Sequence, residues 1–247
     1  MGAGLTGIET AAELTEQGHV VTLVCGGQLA PSFGEPARRS VAKWLVRNRV
    51  EVLDTAVVAE VRPDAVVLAD GTVRPSAVTV WTAGFGVPEL AARSGLRTDA
   101  LGRLITDETL TSVDDDRVVA AGDAAAPSGQ PLRMSCYTAG PTAADTMLSR
   151  IAGVQPALFG LAFVASNVGL GRRAAVGQFT RKDDTPVNVY LGGRIGGRIA
   201  ASIKEAVTKG TLWGLRREAR KPGSSVWYKG GTQPQQPVLD PVVVTNP

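Results

Sequence analysis

The first seven residues constrain this chain more than any other stretch. Gly2-Ala3-Gly4-Leu5-Thr6-Gly7 is a complete G-x-G-x-x-G, residues 8–17 continue as a helix carrying Ala11, Ala12 and Leu14, and Gly18 closes it. His19-Val20-Val21-Thr22-Leu23-Val24 then reads as a β-branched parallel strand buried on both faces. Glycine turn, helix and strand in this order form the second part of a βαβ unit, and that context turns a weak motif into a strong one. In such a unit the first glycine permits a tight turn, the second admits a pyrophosphate to the backbone, and the third allows close helix–strand packing. Free N–H groups at the helix start face the phosphates. The turn should follow a central strand, yet only Met1 precedes Gly2. The sheet is therefore expected to lack its first strand, and the chain reads as cut at its N-terminus.

Further along, a helix is expected over residues 36–47, with Pro36 tolerated in its first turn. Strands are expected over 50–53, 57–61, 65–68 and 78–81, with Asp70-Gly71 as a turn. Thr82-Ala83-Gly84 stands at the carboxyl end of the last of these, where ligands bind in open α/β sheets. Residues 117–123 read as a short buried strand whose end presents Gly122 and Asp123, and residues 138–152 as a helix. Strands over 161–166 and 174–179 flank Arg172-Arg173. Residues 194–221 read as a basic helix of net charge +6, against +3 for the whole chain, with Ile195, Ile199, Ile203 and Val207 on one stripe. The proline- and glycine-rich residues 222–247 read as a mobile tail.

Composition excludes several function classes. One histidine, His19, and two distant cysteines, Cys25 and Cys136, cannot supply a four-ligand zinc site, a disulfide framework or a CxxC redox pair. With 26 basic against 23 acidic residues and 5% aromatics, no nucleic-acid partner is expected. No basic and apolar leader opens the chain. The longest uncharged stretch, residues 151–171, contains Gln155, Pro156 and Asn167 and is not expected to span a membrane. A reduced, cytoplasmic protein is the expectation.

Four motifs then occur in a telling order: Gly2-x-Gly4-x-x-Gly7-Ile8-Glu9, Trp81-Thr82-Ala83-Gly84, Gly102-Arg103-Leu104-Ile105-Thr106-Asp107 and Ala121-Gly122-Asp123-Ala124. Over roughly residues 2–221 the chain resembles the FAD-dependent pyridine nucleotide-disulfide oxidoreductase superfamily, in the branch of NADH dehydrogenases similar to type II NADH:quinone oxidoreductases. Leu170-Gly171-Arg172-Arg173 and Leu191-Gly192-Gly193-Arg194 resemble the C-terminal part of its actinobacterial members. The resemblance implies an α/β, Rossmann-like FAD/NAD(P)-binding fold, incomplete for want of its first strand and N-terminal FAD half, with a C-terminal α+β region. It implies an NAD(P)H-binding domain over 1–95, the C-terminal part of an FAD-binding domain over 96–150, a sheet and helix region over 151–221 and a disordered tail over 222–247.

It also implies roles for residues. Gly2, Gly4 and Gly7 would hold the pyrophosphate of NAD(P)H, and Gly84 would lie where that domain meets the flavin. Glu9 would sit near the nicotinamide–flavin contact, or be a first-turn carboxylate favoured by the helix dipole. Asp123 would accept hydrogen bonds from the ribitol of FAD beside Gly122, or be a helix cap or turn aspartate. Cys25 stands where an acidic residue would bind ribose hydroxyls, and no arginine follows it, so the choice between NADH and NADPH stays open. Cys25 itself reads as a small buried residue.

The implied activity is hydride transfer from NAD(P)H to FAD and electron transfer onward to a quinone or another small acceptor. Residues 134–141 lack the glutamine of quinone-reducing relatives, which leaves the acceptor open. Arg133 and Tyr137 are candidates for the acceptor pocket, or for core or surface positions. Two other readings stand beside this one. One is a truncated, catalytically incompetent remnant that binds only a dinucleotide. The other is a weak peripheral membrane contact through the basic helix, which would either lie on an anionic bilayer or dock on the protein's own sheet.

Overall fold

A computed structural model describes residues 1–84, 86–127, 136–159, 165–181 and 184–220. In chain order its elements are α1 (Leu5–Glu16), β1 (Thr22–Val24), α2 (Glu35–Arg47), β2 (Glu51–Leu53), β3 (Val58–Val61), β4 (Ala65–Leu68), β5 (Val73–Pro75) and α3 (Leu90–Arg93). These are followed by β6 (Leu104–Thr106), β7 (Ala125–Pro127), α4 (Cys136–Ile151), β8 (Ala165–Gly169), β9 (Ala175–Thr180), β10 (Pro186–Leu191) and α5 (Gly193–Arg220). The described residues divide between two compact units, one of residues 1–84 with 165–181 and 184–220, and one of residues 86–127 with 136–159.

In the first unit β1 and β2 pair in parallel, Thr22 opposite Glu51 and Val24 opposite Leu53. Met1 and Gly2 stand where the end of the expected central strand would lie. The Gly2 N–H donates to the Val24 carbonyl at 2.9 Å, and the Thr82 N–H donates to the Met1 carbonyl at 2.7 Å. The Met1 ammonium donates to the Val80 carbonyl. Two residues make isolated hydrogen bonds but no ladder, and one expectation fails for that reason. Residues 78–81 form no strand, leaving Val78 and Trp81 exposed. The apolar run from His19 yields only Thr22–Val24 as strand, because β2 begins opposite Thr22, and Val20 is fully exposed. Just before it, α1 closes as expected: the Gly18 N–H donates to the Thr15 carbonyl and the His19 N–H to the Leu14 carbonyl.

β3, β4 and β5 form an antiparallel meander. Asp70 and Gly71 do turn the chain, with the Thr72 N–H donating to Asp70 Oδ1 at 2.9 Å. The strand after the turn is Val73–Pro75, closer than the expected 78–81.

α1 and α2 touch both the β1–β2 pair and the antiparallel β10–β9–β8 sheet. One core unites these elements, with Ile8, Leu23, Phe33, Val41, Leu45 and Val176 nearly inaccessible to water. Burying each such side chain contributes about 1.5–3 kcal/mol. β10 gives no local strand signal: its Asn188, Val189 and Tyr190 are exposed, so it carries no apolar alternation.

α5 does dock on its own sheet, but not by the expected stripe. Gly197 and Ala200 are the buried residues of its first turns, and Asn167 Nδ2 donates to the Ala200 carbonyl at 3.3 Å. Ile195, Ile199 and Ile203 face outward, at 77%, 47% and 48% exposure. The approach is too close for branched side chains, since a Cβ on Gly197 would stand 3.1 Å from the Ala175 carbonyl oxygen. The Val207 side chain and residues 221–247 lie outside the described residues.

In the second unit β6 and β7 pair in parallel, Leu104 opposite Ala125. The strand expected over 117–123 is not formed: within that span only Val119 makes a bridge, to Thr111. A turn at Gly122, where the Ala125 N–H donates to the Gly122 carbonyl, redirects the chain so that Ala125–Pro127 joins β6 instead. α4 packs here through Ala139 against Leu110 and Phe159. The buried Thr146 hydroxyl donates to the Thr109 carbonyl at 2.7 Å.

Candidate functional site

The glycine turn sits at the carboxyl end of β1, and its three glycines differ in what surrounds them. A Cβ on Gly7 would stand 1.9 Å from the Gly2 carbonyl oxygen and 2.8 Å from Thr82 Oγ1. One on Gly2, whose φ is +119°, would stand 2.8 Å from that same hydroxyl. These two glycines let α1 close onto the turn. Gly4 is different: its φ of −71° suits any residue, and nothing lies within 4 Å of where its Cβ would be. Gly4 caps α1 without a side chain, and no acidic residue occupies the first turn. The first N–H groups of α1 are therefore left for solvent or a ligand, at the positive end of the helix dipole.

Thr82 is the residue that sequence reasoning missed here. Its hydroxyl donates to the Met1 carbonyl at 2.6 Å and fills the space that Gly2 and Gly7 leave. The Thr82-Ala83-Gly84 motif was visible, but only the fold brings it beside the first turn. Gly84 follows with φ +95° and open space around it.

Glu9 falls in the second turn of α1, because the helix begins at Leu5. The first-turn dipole reading of this carboxylate is thereby corrected. Glu9 Oε1 instead accepts the Gly169 N–H at 2.6 Å, and Glu16 Oε2 accepts the Arg172 N–H at 2.8 Å. Together they fasten α1 to β8 and the loop after it.

Cys25 follows β1 as Asp54 follows β2, and the parallel register sets them side by side. The Cys25 N–H donates to the Leu53 carbonyl at 2.9 Å, and the Gly27 N–H to the Asp54 carbonyl at 2.8 Å. Burial first, and then the Asp54 carboxylate, push the Cys25 thiol up to about 12. It stays protonated and is no nucleophile at neutral pH. A carboxylate is thus present at this edge after all, supplied by the neighbouring strand.

In the second unit Gly122, with φ +83°, has open space around it, and the Asp123 side chain is exposed. Asp107 shapes the preceding loop, its Oδ1 accepting the Thr109 N–H and hydroxyl at 2.8 and 2.7 Å. Arg133 and the side chains of Cys136 and Tyr137 lie outside what is described. Among the described residues no cluster of His, Cys, Asp or Glu could hold a metal ion.

Residues 1–145 match the family described as pyridine nucleotide-disulphide oxidoreductase. This chain belongs to that family. It is 35% identical over 138 residues to an NADH dehydrogenase-like protein of Mycobacterium tuberculosis, spanning 51% of this chain and 34% of the relative. It is 28% identical over 143 residues to the type II NADH:quinone oxidoreductase of Haemophilus influenzae, spanning 51% of this chain and 32% of the relative. The chain thus spans about a third of the length of these curated relatives.

Solved structures show the same fold. Reduced Bacillus anthracis CoADR-RHD superposes with a TM-score of 0.62 at 21% identity, covering 73% of this chain and 33% of that one. The sulfide:quinone oxidoreductase of Aquifex aeolicus gives 0.62 at 17% identity, covering 86% of this chain and 55% of that one. The Rossmann-like α/β class expected from the sequence is the class found.

Proposed function

We propose that this chain carries the nicotinamide dinucleotide site and one edge of the flavin site of an NADH dehydrogenase-like oxidoreductase. The observation that carries this reading is the contrast at the glycine turn. Gly2 and Gly7 have the places of their Cβ atoms filled by Thr82 and backbone, whereas Gly4 opens on empty space beside the uncapped start of α1. A pyrophosphate fits there, receiving N–H donors and the helix dipole without meeting a side chain. The chemistry supplied by the bound cofactors is hydride transfer from NAD(P)H to FAD and electron transfer onward to a quinone or other small acceptor.

The chain's own residues bind and orient. Gly2, Gly4 and Gly7 form the phosphate turn, and Thr82 braces it from behind. Glu9 fixes α1, and with it the turn, against β8. Gly84, at the end of the braced segment, offers backbone approach toward the nicotinamide end. Gly122 and Asp123 fit a ribitol in the same way, as an open glycine followed by an exposed carboxylate whose oxygens can accept from hydroxyls. Weak peripheral contact with an anionic bilayer belongs to the same reading, supported by the outward Ile195, Ile199 and Ile203 of α5 and its basic composition.

Equilibrium dialysis against FAD, NADH and NADPH separately tests the proposal. Saturable uptake of a nicotinamide dinucleotide is expected, and uptake of neither overturns it. Asp123→Ala removes a charged acceptor for hydroxyl donors, at a cost of about 1.5–3 kcal/mol. FAD uptake should then fall about ten- to a hundredfold. Unchanged uptake would leave Asp123 without a flavin role.

A further inference from the structure

Apart from the glycine turn, the first unit holds a cavity of about 700 Å³ walled by α2, β9, β10 and the start of α5. Its volume lies within the range of about 300–1,000 Å³ usual for small-molecule sites. Five cations line it: Arg39, Lys43 and Arg47 on α2, Arg173 in the loop between β8 and β9, and Arg198 on α5. Among the described residues no carboxylate lines it. Arg39 leans toward Glu35 at 3.5 Å, but among the described residues Lys43, Arg47, Arg173 and Arg198 make no ion pair.

That concentration does not follow from composition, which is nearly balanced at 26 basic to 23 acidic residues. Nor does it follow from what helices favour. Arg39, Lys43 and Arg47 recur every four residues, so like charges stack along one face of α2 and weaken it. Only Arg47, in the last turn, gains from the helix dipole. Three separate elements bring cations into one concavity, where like charge focuses the potential and draws in an anion.

The remaining walls say what else the anion carries. Trp44 and Tyr190 line the same cavity, together with aliphatic Leu170 and Val176. Trp44 is half-buried and packs on the core, so its indole is a fixed platform. Guanidinium groups match phosphate oxygens in paired hydrogen bonds, and a flat indole suits a flat ring.

We propose that this cavity is a second binding site, for a ligand with a diphosphate group on a planar aromatic body, of the nucleoside diphosphate class. The phosphates meet Lys43, Arg47, Arg173 and Arg198, and the ring lies against Trp44. The site is independent of the glycine turn, which lies at the other end of α1 from the loop carrying Arg173.

The test is a titration of the 247-residue chain with ADP, inorganic pyrophosphate and adenosine. It is read by tryptophan fluorescence in a Gly4→Val background that removes ADP binding at the turn. ADP and pyrophosphate should give a saturable change that vanishes in Trp44→Phe, ADP the tighter and adenosine inactive. Arg47→Gln with Arg173→Gln should weaken ADP at least tenfold, and Lys43→Gln alone a few-fold, with circular dichroism spectra unchanged. Raising salt should weaken binding further, as charge pairing requires. No response to ADP or pyrophosphate, equal affinity for adenosine, or unchanged affinity in both cation variants would overturn the proposal.

Discussion

Cys25 and Asp54 show how two residues with no sequence relationship acquire one chemistry. Each directly follows a strand, and parallel pairing of those strands puts thiol and carboxylate together in a half-buried place. Burial and then the neighbouring charge hold the thiol protonated to about 12. Above the ordinary thiol value of about 8.5 the unfolded chain sheds a proton that the folded chain keeps. Stability is therefore lost as pH rises from there toward 12. In a Cys136→Ser background, alkylation of Cys25 by iodoacetamide should be slow at pH 8. Asp54→Asn should move its pH profile downward, because one source of the upward push is gone. A thiol that reacts as fast as a free cysteine, with no response to Asp54→Asn, would contradict this account.

At the scale of elements, local signals were legible wherever a segment carries its own partner or punctuation. α1, α2 and β4 were found because apolar spacing, Pro36 and the Asp70-Gly71 turn lie within them or beside them. Segments that depend on distant chain depart from what their local composition favours. Residues 78–81 have strand composition but only Met1 to pair with, and residues 117–123 have the same composition but only the Thr111 bridge. α5 departs for another reason: apolar periodicity points to isoleucines, while close packing on β9 selects Gly197 and Ala200.

Gln178 was invisible to any periodicity, yet it ties three elements together. Its Oε1 accepts the Gly34 N–H before α2 at 3.0 Å, and its Nε2 donates to the Val187 carbonyl in β10 at 2.6 Å. At 1% exposure it leaves no room for water to substitute. Gln178→Ala strands those backbone groups, each at about 1–3 kcal/mol. A drop of about 2–4 kcal/mol in denaturant stability is expected. A change under 0.5 kcal/mol, roughly that of a surface substitution, would mean the network is not structural.

For the whole molecule the charge distribution matters more than the total. A net +3 hides +6 within residues 194–221, where Ile195, Ile199 and Ile203 also face outward. Each Lys or Arg at an anionic surface contributes about 1 kcal/mol, and salt screens it. The chain should therefore sediment with anionic vesicles at low salt and release at high salt, while Ile199→Glu should weaken binding at both. Equal recovery in the supernatant with and without vesicles would leave α5 as part of the fold alone. No described helix is long and apolar enough to cross a membrane.

The central claim is that the turn at residues 2–7 is built to receive a dinucleotide pyrophosphate at Gly4, and it separates folding from binding. Gly4 has ordinary backbone angles and open space, so Gly4→Val meets no clash at its Cβ, costs α1 only a better cap, and puts two methyl groups where the phosphates go. Gly7→Ala does the reverse, driving a methyl into the Gly2 carbonyl 1.9 Å away and lowering stability. The decisive measurement is an NADH titration by fluorescence of the wild type and both variants, with thermal melts of the same samples. The account predicts saturable binding to the wild type and at least tenfold weaker binding to Gly4→Val, with a Tm lowered by no more than a weakened helix cap allows. It also predicts a lowered Tm for Gly7→Ala. Equal NADH affinity in Gly4→Val and wild type, or no binding to the wild type at all, would contradict it.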